Sequence, residues 1–263
     1  MSASTGSLSL YIVRHGERID HVDKTWLDPN PIGIHDPPLT ARGQQQSRHT
    51  GRFISDLIKE RSASGHCTTD IIVYTSPFLR CVQTALDMSI GLCEKMKEEA
   101  AENGSSVRVR LEPGLCEWLA EDYFDEVQTT ADRMIGRRLE EYAHNRDASG
   151  IFDWGYRPVD LQLPEFPEEF EELLRRFKRV VPQIIRENKA SSNRRDTVIV
   201  LVTHGAGVNA ALEVVKNTPT LLETGYCCLS RARLVNSAGV DRWVVDLEVS
   251  MAHLKKLESL GGC

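Results

Sequence analysis

The chain has 263 residues, of which 41% are apolar and 27% charged, with a net charge of −6. This length suits one large α/β domain or two small ones, and the composition excludes disordered, collagen-like and disulfide-scaffold classes. The negative balance repels nucleic acid and anionic membranes overall, so a basic site has to be made locally by a few converging arginines.

The densest apolar run, residues 198–202, falls far short of the roughly 20 residues that a spanning helix needs. Residues 1–7 have neither the basic start nor the apolar middle of a secretory leader, so the expected compartment is the cytosol or nucleus. The seven cysteines are odd in number and irregularly spaced, with no C-x-x-C, and read as reduced thiols that mostly pack in the core. Cys81 and Cys116 lie near the candidate site residues, which leaves a redox-sensitive thiol as an alternative for either.

In chain order, residues 8–13 predict a strand of Leu, Tyr, Ile and Val that runs into Arg14, His15 and Gly16. Residues 19–39 hold four prolines and predict an irregular loop at one wall of a pocket. Thr40 is placed to cap a helix over 41–61 that ends in residues 62–65. A strand over 70–74 leads through Ser76-Pro77 into a helix carrying Arg80, with the proline in its first turn. After a turn at 102–106 comes a strand over 107–111, which alternates apolar and basic residues and predicts one buried and one wet face.

Residues 119–163 are the least regular part, with a helix expected over 131–142 and a lid-like role for the excursion, which carries Tyr123, Phe124, Phe152, Trp154 and Tyr156. Residues 167–187 are amphipathic, kinked at Pro182. A fully buried strand over 197–202 ends in Thr203-His204-Gly205, followed by a helix over 206–215 and two closing strands, 227–234 and 243–249. The alternation predicts a three-layer α/β/α sandwich with a mainly parallel sheet, forming one domain over 1–263.

Two strands thus end in His-Gly, at His15-Gly16 and His204-Gly205, and in open α/β sheets the carboxyl edge is where ligands bind. If the two strands are neighbours, both imidazoles converge on one ligand. Arg14, Arg18 and Arg80 offer guanidinium forks for phosphate oxygens at the same edge. The histidines show no zinc-ligand spacing. Glu117 is the preferred acid, because Trp118 beside it would lower the local dielectric and raise its pKa; Glu112, Glu121 and Asp122 are the alternatives. Glu17 is expected to orient an arginine, His21 and His35 to touch the pocket rim, and the remaining histidines to lie in surface or loop positions.

Arg14-His15-Gly16-Glu17-Arg18, the run from Ser76 to Ala85 and Val202-Thr203-His204-Gly205 together resemble the histidine phosphatase superfamily, the phosphoglycerate mutase-like fold. The Gly-Glu-Arg form of the first motif, the stretch from Glu112 to Trp118 and Tyr156-Arg157-Pro158 resemble one branch of it. That branch holds the phosphatase domains of the ubiquitin-associated and SH3-domain-containing tyrosine phosphatases and the ecdysteroid-phosphate phosphatases.

The resemblance implies a histidine acid-type phosphatase that needs no cofactor and no metal. His15 would be the nucleophile that becomes phosphohistidine, Arg14, Arg18, Arg80 and His204 would hold the phosphate, and Glu117 would be the acid and then the base. Arg14, Arg80 and His204 would also take part in catalysis by stabilising the charge of transfer. The expected substrate is a phosphotyrosine or another bulky phosphate ester, on a small molecule or a phosphoprotein. Neither nucleic acid nor membrane is an expected partner, and a homodimer is among the allowed assemblies. A phosphoglycerate mutase or sugar-phosphate phosphatase is an alternative, against which the acidic loop over 20–36 argues because a mutase needs basic groups for a second anion; a weakly active interaction module is a further alternative.

Overall fold

The structure is a computed structural model that describes residues 7–27, 29, 34–61, 69–98, 105–125, 127–143, 150–191, 195–237, 239–255 and 257. The helix stop at 62–65, most of the turn at 102–106, and Cys67, Cys263, His66 and His144 lie outside the described residues.

Six strands form the central sheet: β1 (Leu8–Arg14), β2 (Thr69–Thr75), β3 (Ser106–Leu111), β4 (Asp196–Thr203), β5 (Leu229–Ser237) and β6 (Val240–Ser250). Their order is β3-β2-β4-β1-β5-β6. The first four run parallel, while β5 and β6 close the sheet antiparallel. β4 lies in the middle of the parallel part and its residues 197–203 are buried, as a strand covered on both faces must be.

Alternation along each strand sends side chains to two separate cores. Leu10, Ile12, Ile72, Tyr74, Ile199 and Leu201 face α5 (Phe170–Ser191) and α6 (Gly205–Lys216), meeting Leu173, Phe177, Ile184 and Leu212. Tyr11, Val13, Ile71, Val73, Val198 and Val200 face α2 (Ala41–Arg61) and α3 (Leu79–Glu98), meeting Ile54, Val82, Ala85 and Met88. Burying each such Leu, Ile, Val or Phe contributes roughly 1.5–3 kcal/mol. The three-layer expectation therefore holds, and α5 continues through Pro182. Among the described residues, no helix is long and apolar enough to cross a membrane.

Some boundaries differ from the expectations for physical reasons. A single helical turn, α1 (Ile19–Val22), forms in the expected loop because all four of its prolines come later in the chain. α3 begins at Leu79, two residues after Pro77, because the Leu79 amide is taken by Asp36 Oδ1 at 2.7 Å, a cap supplied from a distant loop. The excursion holds α4 (Ala131–Ala143) and is fastened to the edge of β3, where Val109 N donates to Ile151 O and Asp153 N to Val109 O. Phe124, Met134 and Leu119 form a small third core with Phe78 and Cys116.

Candidate active site

Pairing of β1 with β4 sets Arg14 opposite Thr203, and His15 N donates to Thr203 O at 2.9 Å. The two His-Gly corners therefore lie side by side, with the His15 and His204 rings 5.4 Å apart, edge to face. Gly16 is required at its corner: a Cβ there would fall 2.6 Å from the Gly43 carbonyl of α2. Thr40 caps α2 through the Gly43 amide, as expected, and its hydroxyl donates to Glu17 Oε1 at 2.8 Å. Glu17 thus serves the helix cap, not an arginine, which corrects the role expected for it.

His15 and His204 are both buried. His15 Nδ1 lies 2.8 Å from Gly16 O, and a carbonyl only accepts, so Nδ1 carries the proton. Burial, then the charges of Arg80, His204 and Arg14, push the His15 pKa well below 6.5. The ring is therefore neutral at pH 7, with the Nε2 lone pair free. Burial likewise pushes His204 down to about 4, with Arg80 assisting against the opposing pull of Glu117.

Arg80 is buried on the first turn of α3, with Nη2 3.1 Å from Glu117 Oε2 and 3.1 Å from His204 Nδ1. Its Nε and Nη1, and Nε of Arg14, are buried without a hydrogen-bond acceptor among the described residues. Such donors are costly to leave unmade and favour an anionic ligand. Arg14 Nη1 donates to Thr224 O, and its guanidinium lies 4.6 Å over the Tyr226 ring. Arg18 directs Nε and Nη2 to Asp20, which also meets His35 Nε2 at 3.0 Å, while His21 Nδ1 meets the Tyr226 hydroxyl at 2.5 Å. His35 and His21 are thus bonded to Asp20 and Tyr226, which in turn contact Arg18 and Arg14.

Glu117 alone among the four candidate carboxylates faces His204 and Arg80. Glu112 is buried elsewhere, accepting the Tyr156 hydroxyl and the amides of Gly114, Val159 and Asp160, and Glu121 and Asp122 are exposed. The reason given for Glu117 needs correction, however. Burial raises its pKa, but His204, Arg80 and the Trp118 amide outweigh burial and hold it well below the usual carboxylate range. The Trp118 indole contributes elsewhere, donating to Glu168 O.

His15, Glu117 and His204 each bring one donor atom within 4.8 Å of the others, a set that a cation could use. The surrounding arginines make the same space electropositive and suited to an anion. Cys81 and Cys116 are buried, and burial pushes both thiols up, Cys116 to about 12, which fits packing and not redox reactivity.

Several supporting residues were not foreseen. Arg176 gathers the carbonyls of Gly114, Cys116 and Glu117 and is itself paired with Glu168, so it clamps the turn that carries Glu117. Asp36 joins Arg138 and lies 3.8 Å from Arg80 Nη1. No local pattern marks these residues; each acts across more than 40 positions of sequence.

A parallel-sheet α/β domain whose carboxyl edge gathers two neutral imidazoles, a carboxylate and buried arginines belongs to the class of phosphate-handling proteins. The chain belongs to the histidine phosphatase superfamily (branch 1), whose pattern matches residues 10–239. It is 28% identical over 247 residues to human (Homo sapiens) ubiquitin-associated and SH3 domain-containing protein A, covering 83% of this chain and 32% of that protein. It is 31% identical over 136 residues to the ecdysteroid-phosphate phosphatase of Drosophila melanogaster, covering 42% of this chain and 16% of that one. The chain thus spans about a third of the length of the first of these relatives. Among solved structures, phosphoglycerate mutase from Bacillus anthracis str. Sterne superposes with a TM-score of 0.55 over 98% of this chain and 100% of that one, at 14% identity, a likeness of fold.

Proposed function

We propose that this chain is a phosphomonoesterase that works through a phosphohistidine and favours phosphotyrosine or a similarly bulky phosphate ester. The observation that carries the reading is the neutral, buried His15, with its proton on Nδ1, beside Arg80, His204 and Glu117. His15 Nε2 attacks phosphorus and the P–O bond to the leaving group breaks. Arg14, Arg18, Arg80 and His204 hold the nonbridging oxygens and stabilise the charge of transfer.

Glu117 needs a proton to act as the acid, and it is ionised in the free site. A bound phosphate dianion compensates the charge of Arg80, which with the hydrogen bond from His204 holds the carboxyl down, so substrate binding itself raises the Glu117 pKa. Glu117 then protonates the leaving oxygen. Its carboxylate next removes a proton from water, which attacks phosphorus, breaks the P–N bond and returns His15 to its starting state. The preference for an aromatic or bulky ester rests on Trp26 beside His35 and on Tyr123 beside Trp118, near the site.

The test is hydrolysis of a phosphotyrosine peptide, para-nitrophenyl phosphate, a steroid phosphate and 3-phosphoglycerate by the wild type and by His15→Ala. The substitution is expected to lower every rate by more than about 10³-fold, with the peptide or the steroid phosphate preferred by the wild type. Isomerisation of 3-phosphoglycerate would replace this reading with a mutase. A folded wild type that binds phosphate and turns over none of the panel would replace it with an interaction module.

A further inference from the structure

A second groove rich in arginine lies along the sheet at β2 and β3. A cavity of about 460 Å³ opens beside Asp70 and Thr197, at the amino ends of β2 and β4, and its walls include Arg108, Arg110, Tyr156 and Arg157. Asp70 is five residues before Thr75, so the Asp70 end of the groove lies about 16 Å from the catalytic edge at 3.3 Å per strand residue, while Arg110, opposite Tyr74, reaches towards that edge. None of His15, Arg14, Arg18, Arg80, Glu117 and His204 lines it.

Three arginines and three carboxylates line this groove, and they are not paired one to one. Two of the acidic wall residues are paired with arginines, Asp70 with Arg195 at 3.2 Å and Asp153 with Arg110 at 2.8 Å, while Glu187 accepts from the neutral amide of Gln183 at 3.0 Å. Arg110 is further fixed by the Tyr74 hydroxyl at 2.7 Å and by the Tyr156 ring 5.0 Å away. Arg108 and Arg157 are exposed, and among the described residues neither has a hydrogen bond or ion pair. Two guanidinium groups without an ion pair among the described residues thus share one groove on a protein whose net charge is −6. Two forks match a tetrahedral dianion, whereas a carboxylate occupies one.

We propose that this groove is a second, non-catalytic anion site that takes the phosphate dianion, free or as a phosphomonoester, between Arg108 and Arg157. Tyr156 and Ile72 offer the apolar wall against which an ester group would lie. Tyr156 also bonds Glu112, whose carboxylate holds the Gly114 amide in the turn leading to Glu117, so an occupied groove is connected to the turn that carries the acid. The inference does not depend on the proposed catalytic activity.

Calorimetric titration of the whole chain with inorganic phosphate, and separately with the non-hydrolysable phenylphosphonate, tests it. The wild type is expected to bind two anions, Arg80→Ala one, and Arg108→Ala/Arg157→Ala one, the groove affinity falling by about tenfold or more. Tighter binding of phenylphosphonate than of phosphate at the groove would identify an ester as the ligand, and equal binding the free anion. The double variant should keep para-nitrophenyl phosphate turnover if the wild type has any; should it fail to fold, Arg108→Gln/Arg157→Gln gives the same readout. A double variant that binds as many anions as the wild type, or an Arg80→Ala chain that binds none, overturns the proposal.

Discussion

Glu117 Oε2 and His204 Nδ1 lie 3.0 Å apart in the interior, with Arg80 Nη2 3.1 Å from each. Nδ1 cannot both donate to the carboxylate and accept from the guanidinium in one tautomer. With the proton on Nδ1, it donates to Glu117, Nε2 accepts the Ser76 hydroxyl 2.9 Å away, and Arg80 Nη2 is left to Glu117. Glu117 is then charged and His204 neutral, as the directions of both pKa values require, while Arg80 Nε and Nη1 stay without an acceptor among the described residues. In the reading proposed above, Glu117 therefore has to take up its proton from solvent once the substrate dianion is bound.

Replacing Glu117 by Gln keeps the shape and removes the proton. Turnover of a phosphotyrosine peptide should fall by about 10²–10⁴-fold, the usual worth of a general acid–base. The phosphorylation step with para-nitrophenyl phosphate should suffer less, because its leaving oxygen departs without a proton. Loss of water activation should then let the phosphohistidine accumulate, visible as a burst of para-nitrophenol followed by a slow steady state. Equal losses for both esters, with no burst, would remove Glu117 from the acid role.

Asp36 is a buried carboxylate that holds Arg138, caps α3 at Leu79 and lies near Arg80. Asp36→Ala takes away the buried partner of Arg138 and leaves it only the partly exposed Glu141 at 2.7 Å, so the loss should approach the low end of the about 3–5 kcal/mol that removing one member of a buried pair costs. Thermal unfolding is expected to show this loss. The double variant Asp36→Leu/Arg138→Leu should recover part of it, because apolar side chains need no partner. A single variant as stable as the wild type would show that water reaches Arg138.

Residues that act where they stand are legible in the sequence. The strands announce themselves by their β-branched runs, and His15 and His204 by the Gly that follows each at a strand end. Helix α2 could be bounded at Ala41 and Arg61 because Thr40 caps it locally. Glu117 was separable from its neighbours only by geometry, since Glu112, five residues earlier, is taken up by amides from residues 159 and 160. Arg176, Glu168 and Asp36 were not legible at all. Each acts through contacts between distant segments, and a buried arginine in an amphipathic helix looks like any solvated one. His253 shows the same limit: expected in a surface or loop position, it is buried because the chain after β6 folds back onto α2.

His253 stacks on Phe53 with ring centres 5.0 Å apart, and its Nε2 meets Thr50 Oγ1 at 3.0 Å. Burial, with the charge of His49, pushes its pKa from 6.5 down to about 4. Between those values the unfolded chain binds a proton that the folded chain refuses. The stabilisation is therefore complete above about pH 6.5 and is lost as pH falls through about 4. His253→Phe lacks this dependence, so relative to the wild type it should gain about 2 kcal/mol between pH 7 and pH 5, at about 1.4 kcal/mol per pH unit. Urea unfolding of both proteins at the two pH values measures the difference. Parallel pH profiles would show that His253 titrates normally.

Tyr226 holds Arg14 by its ring and His21 by its hydroxyl, and the two contributions can be separated. The guanidinium of Arg14 lies 4.6 Å from the ring centre, and the His15 ring 5.8 Å from it, so Tyr226 is a floor beneath both. A cation over an aromatic face is worth about 0.5–2 kcal/mol. Tyr226→Leu should therefore lower kcat/KM by about 2- to 30-fold and weaken inhibition by vanadate in parallel, because Arg14 would meet the phosphate from a less defined position. Tyr226→Phe keeps the floor and loses only the bond to His21, so it should stay close to the wild type on both measures. If Tyr226→Phe falls as far as Tyr226→Leu, the hydroxyl and His21 position the phosphate, and Arg14 is held well enough by its bond to Thr224 O.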